Sequence, residues 1–99
     1  MSDQGNGHVK LINRNSGKCL DVADGSTADG AAVVQWTCGS QLNQQWKLTD
    51  LGGGYRQVVS RSSGKCLDIY GGSTDDGAPL VQWTCGGQSN QQWTLRAAT

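Results

Sequence analysis

Apolar residues in this chain do not recur at helical spacing. They come in short runs, and each run is cut off by Gly, Ser, Asp or Asn. That pattern predicts an all-β protein with strands over residues 9–14, 18–22, 33–36 and 45–48, and again over 56–61, 65–69, 80–83 and 92–95. The NSG and SSG triplets at 15–17 and 62–64 suit tight hairpin turns, while ADGSTADG (23–30) and GGSTDDG (71–77) make longer loops in which glycine takes positive φ. Pro79 stands at a strand start, where its missing N–H does least harm.

The two sets of strands reflect an internal duplication. SGKCLDV at 16–22 returns as SGKCLDI at 63–69, QWTCG at 35–39 returns at 82–86, and NQQW at 43–46 returns at 90–93, always 47 residues later. Laid over residues 55–95 without a gap, residues 8–48 match at 25 of 41 positions, including every Cys and every Trp. SDQGNG before the first copy stands in register with TDLGGG between the copies. The expected organisation is therefore a linker-like segment 1–7, repeat 8–48, linker 49–54, repeat 55–95 and tail 96–99.

Composition narrows the function. With 99 residues there is room for one small domain, and the 8 Lys and Arg cancel the 8 Asp, so nothing favours a phosphate backbone or an anionic membrane. Nucleic acid is not an expected partner. No apolar run approaches the ~20 residues of a membrane span, and residues 1–7 lack the basic and apolar stretches of a secretory signal. Four Cys in a Gly-rich chain poor in long aliphatic side chains favour disulfides and an oxidising, extracellular setting. The alternative, a four-Cys metal site, requires paired C-x-x-C clusters, which are missing, so no metal is expected. His8 is the single histidine, and no Ser or Cys has a base at a defensible spacing. Asp75 and Asp76 are adjacent, but Asp75 is Ala28 in the first copy and such loop residues ordinarily form solvated turns. The sequence predicts neither an enzyme nor a cofactor.

CLDV or CLDI, then QWTC, then NQQW, with Q-x-W at 44–46 and 91–93, resembles the ricin B-chain type lectins and carbohydrate-binding module family 13, over residues 8–95. The resemblance implies a β-trefoil, in which three such units each give two strands to a barrel and one hairpin to a cap. This chain carries two units, so the third is expected from another chain. Three chains supply six units, enough for two trefoils; placing every first unit in one and every second unit in the other gives a closed homotrimer, whereas a lone chain leaves edges and one core flank open.

The resemblance also assigns residues. It pairs Cys19 with Cys38 and Cys66 with Cys85, and it puts Trp46 and Trp93 in the core. Trp36 and Trp83 fall where a sugar ring packs on an aromatic, Asp21 and Asp68 where a carboxylate anchors the sugar, with Asn43, Asn90, Gln44 and Gln91 beside them. The chemistry suits each role. An indole face attracts the weakly positive C–H face of a pyranose, and a carboxylate accepts two hydroxyl hydrogen bonds. Asp and Asn are also ordinary turn formers. Gly39 and Gly86 stand where some relatives have His or another polar side chain, Val34 and Val81 where others have Gln, and Tyr70 replaces Ala23. The expected function is a non-catalytic lectin module for galactose or galactosides, with weak sites made useful by multivalency. A xylan-binding fragment of a glycoside hydrolase and an engineered trefoil fragment are the alternatives.

Overall fold

The computed structural model describes residues 2–3 and 7–94. Among them a short strand forms in the segment expected to be linker-like, β1 (Ser2–Asp3), and the later runs become β2 (His8–Lys10), β3 (Cys19–Val22), β4 (Val33–Trp36), β5 (Trp46–Gly52), β6 (Tyr55–Ser60), β7 (Cys66–Ile69) and β8 (Leu80–Trp83). One sheet runs β1-β2-β5-β6-β7-β8 and a second pairs β3 with β4. The described residues hold no α-helix. Single 3₁₀ turns occur at Ala23–Gly25, Leu42–Gln44, Tyr70–Gly72 and Ser89–Gln91, where loops were expected.

Three strands differ from expectation for local reasons. The run 9–14 stops at Lys10, because Asn13 folds its side chain back to accept the N–H groups of Asn15 and Ser16 and so turns the chain; only Ile12 still bridges to Cys19. The run 45–48 instead lengthens through Gly52, since it pairs with β6 from Trp46↔Ser60 to Gly52↔Tyr55 around a bulge after Asp50. Of 92–95, Trp93 makes an isolated bridge to Arg56 and residue 95 lies outside the described residues.

Alternation on these strands sends Val22, Val33, Trp46, Val58 and Leu67 into one core, with Leu11, Leu20, Ala31, Leu48, Leu80 and Trp93 against it. Trp46 is fully buried and donates its indole N–H to the Leu20 carbonyl at 3.1 Å; Trp93 does the same to Leu67 at 3.1 Å, but stays partly exposed. Both disulfides form within their repeats, Cys19–Cys38 and Cys66–Cys85. Each closes a loop of 19 residues, a constraint on the unfolded chain of about 3 kcal/mol, which counts when the core is small.

The first and second repeats meet along one seam. The loop between β3 and β4 lies along β8, where Gly30 N–H donates to the Gln82 carbonyl (2.8 Å) and Gln82 N–H to the Ala31 carbonyl (3.0 Å). The Gln82 side-chain amide donates to the carbonyls of Ser26 (2.8 Å) and Ala28 (2.9 Å). Asp29 accepts from the Thr84 backbone N–H (2.7 Å) and hydroxyl (2.9 Å) and faces Lys65 at 3.5 Å. Partial desolvation raises the Asp29 pKa, and the two Thr84 hydrogen bonds together with Lys65 more than reverse that, so its carboxyl sits below the ordinary value.

Candidate functional site

Asp21 is the third residue of β3 and points to the same side as Cys19, so it is nearly buried, at 5% exposure. A buried carboxylate has to be hydrogen-bonded. Its partners come from the 3₁₀ turn Leu42–Gln44: Asn43 Nδ2 donates to Oδ1 at 3.2 Å and Gln44 Nε2 to Oδ2 at 2.9 Å. Asp68 on β7 repeats the arrangement, with Asn90 at 3.0 Å and Gln91 at 2.9 Å.

The two kinds of amide divide their labour. Asn43 spends its second N–H on the Val22 carbonyl (2.9 Å), and Asn90 on that of Ile69 (3.2 Å), leaving their side-chain oxygens as acceptors. Gln44 is fully buried. Besides Asp21 it donates to the Thr37 carbonyl (3.0 Å) and accepts from Gly39 N–H (2.8 Å), so it fixes the carboxylate and ties down the bend after β4. Gln91 does the same with Thr84 (3.1 Å) and Gly86 (2.9 Å). Both glutamines hold their carboxylates from below.

Trp36 ends β4 and is 62% exposed, forming one wall of a cavity of about 280 Å³ lined also by Asp21, Val34, Gln41 and Asn43. The second cavity, about 340 Å³, is lined by Asp68, Tyr70, Val81, Trp83, Gln88 and Asn90. Each carboxylate oxygen holds one protein hydrogen bond and keeps a lone pair free, and the neighbouring Asn adds another acceptor. The polar groups at the floor therefore call for a ligand that brings hydrogen-bond donors, and the indole beside them calls for an apolar ring face. A neutral polyhydroxylated ring has both; an anion meets the carboxylate with the wrong sign.

The structure brings Asp21, Trp36 and Asn43 to one cavity and Asp68, Trp83 and Asn90 to the other, while Gln44 and Gln91 lie beneath rather than along the walls. Sequence reasoning missed Gln41 and Gln88. A Cβ built at Gly39 would strike the Gln41 side-chain oxygen, and one at Gly86 would strike that of Gln88, so these glutamines fill the space left by the absent side chains. Their identity in both copies, two residues after a glycine, was the available signal.

The family of ricin-type beta-trefoil lectin domain-like sequences matches residues 1–83 and, in a second registration, residues 52–99. Among solved structures, the designed 3-fold symmetric protein ThreeFoil is 49% identical with a TM-score of 0.95, covering 98% of this chain and 69% of its own. The exo-β-1,3-galactanase 1,3Gal43A of Clostridium thermocellum is 43% identical with a TM-score of 0.91, over 94% of this chain and 20% of that one. The hemolytic lectin CEL-III is 27% identical with a TM-score of 0.75, over 89% and 20%. This chain thus spans a fifth of each of the latter two, and its fold is that of two thirds of a β-trefoil.

Proposed function

The chain belongs to the ricin-type β-trefoil lectin family and is a carbohydrate-binding module, and from that premise we propose that its two cups each seat a galactose-type pyranose without cleaving it. The carrying observation is a buried carboxylate held by two amides at the foot of a cavity whose wall is an exposed indole, built twice from the same motif. Asp21 and Asp68 accept from neighbouring sugar hydroxyls, Asn43 and Asn90 accept a further one, and Trp36 and Trp83 carry the ring. The galactose preference draws support from the 43% identity to a protein that is an exo-β-1,3-galactanase.

One stacked ring and a few solvent-competed hydrogen bonds give about 4 kcal/mol, a Kd on the order of 1 mM per site. Useful strength then comes from multivalency. The chain acts as a secreted homo-oligomer, a homotrimer of six repeats forming two trefoils, with each of the units 8–48 and 55–95 bearing one cup. Calorimetry and tryptophan fluorescence with galactose, lactose and xylose test the sugar reading. Galactosides release heat, and Trp36→Ala with Trp83→Ala weakens binding about tenfold or more. Unchanged titrations in that double variant, or a response to xylose alone, would overturn it.

A further inference from the structure

The seam between the two repeats has a donor half and a receptor half, and each repeat carries both. In the first repeat the loop Ser26–Ala31 is engaged, while its own receptor strand, β4, is open. Gln35 is exposed where its counterpart Gln82 is fully buried, and Val34 is 39% exposed where Val81 is 5%. Beside Gln35 lies a groove of about 280 Å³ lined by Leu11, Ile12, Lys18 and Leu20, and Ile12 is 46% exposed. In the second repeat the receptor is occupied and the loop, residues 73–78, is exposed at Asp75, Asp76 and Gly77.

Both free halves already hold the docked geometry. Ser63 donates to Gln82 Oε1 at 2.7 Å in the occupied receptor, and Ser16 donates to Gln35 Oε1 at the same 2.7 Å in the open one, which leaves the Gln35 Nε2 hydrogens turned outward. In the engaged loop Ser26 Oγ accepts Ala28 N–H at 3.1 Å and Gly30 has φ of 85°; in the free loop Ser73 Oγ accepts Asp75 N–H at 3.1 Å and Gly77 has φ of 77°. The turn of the free loop and the side chains of the open face keep their local hydrogen bonds on docking.

We propose that the free loop 73–78 of one copy of this chain seats on the Lys18–Gln35–Thr37 face of a second copy, repeating between chains the seam found within one. Asp76 takes the place of Asp29, accepting from Thr37 N–H and hydroxyl and facing Lys18. Gln35 Nε2 donates to the carbonyls of Ser73 and Asp75, Gly77 N–H donates to the Gln35 carbonyl, and Gln35 N–H to that of Ala78. The substitutions between the loops are compatible: Ala28 acts through its carbonyl, so Asp75 serves equally, and the seam's backbone donors are Gly30 and Gln82, so Pro79 in place of Ala32 removes none of them. The apolar groove at Leu11, Ile12 and Leu20 is covered by the incoming unit.

Two whole chains bring four repeats to three sectors. The incoming chain therefore contributes one repeat, and its other repeat begins a second trefoil across the β5–β6 connection, so the incoming chain opens its internal seam and its β5–β6 ladder and re-forms both with other copies. This inference rests on the reading of the chain as a homo-oligomer and is independent of the sugar.

Light scattering on the full chain tests it, with tryptophan fluorescence as the check on folding. The expected mass is that of several chains. Lys18→Glu and Asp76→Lys, both exposed and outside the cups, each shift the dissociation midpoint at least tenfold in concentration, the pair combined recovers part of the loss, and Asp75→Lys has no effect. A single-chain mass for the unsubstituted protein overturns the homo-oligomer and the surface together. A multi-chain mass indifferent to both Lys18→Glu and Asp76→Lys overturns the surface and leaves the homo-oligomer standing.

Discussion

The cups at Asp21 and Asp68 share their motif, their hydrogen bonds and their acceptor chemistry, yet they stand in different surroundings. Trp83 is 41% exposed against 62% for Trp36, because the backbone at Gly30 of the first repeat lies beside the Trp83 ring, so that a Cβ there would come within 3.5 Å of it. No described part of the chain holds the matching place beside Trp36. Tyr70, 58% exposed, extends the wall of the second cup where the first has Ala23. Identical local sequence thus builds identical inner geometry, and the directional seam makes the outer geometry unequal.

The sharpest way to break this comparison is at the seam. Gln82→Ala empties a fully buried side-chain position and removes three part-buried side-chain hydrogen bonds, those to the Ser26 and Ala28 carbonyls among them, so denaturant unfolding should show a loss of about 2 kcal/mol. Gln35→Ala removes one exposed bond and should cost less than about 0.5 kcal/mol at concentrations where the chain is single. Above the association midpoint the two costs should converge. Equal costs at high dilution would refute the inequality of the two faces.

Much of this was legible beforehand. The repeat and the strands at 33–36 and 80–83 followed from side-chain alternation and from motifs whose copies matched, while the disulfide pairs and the grouping of Asp, Trp and Asn were what the family resemblance implied. The missed parts are those where one residue's conformation is set by another's. Asn13 ended a strand by bending back to the chain, β5 was lengthened by a partner 14 residues on at Trp46↔Ser60, and Gln41 entered the cup because Gly39 left room.

A smaller effect sharpens the comparison at the second cup. Tyr70→Ala trims the wall that the first cup lacks and should weaken sugar binding there about two- to fivefold, leaving the first cup unchanged. Site-resolved NMR titration of the Trp36 and Trp83 indole signals would show it; an equal change at both indoles would mean Tyr70 acts through the fold.

The smallest effect lies in acid. The Asp29 carboxyl is held below its ordinary value, so the folded state favours its ionised form. Its contribution is present above the ordinary carboxyl range and is lost as the pH falls through the lowered value. Stability measured against pH should therefore fall more steeply in acid for the unsubstituted chain than for Asp29→Asn. Parallel curves would show that Thr84 and Lys65 do not favour the ionised form.

Taken alone, the sequence determined the period and the strand faces, and through its family motifs it implied the cysteine pairs and the chemical content of each cup, because these depend on contacts within one unit of 47 residues and the unit is written twice. Which Gln is buried, which Trp is shaded and which loop remains free were decided only by tertiary structure. Those properties belong to the junction between units. A seam with two unlike halves engages one half of each repeat and leaves the other exposed, however closely the repeats agree.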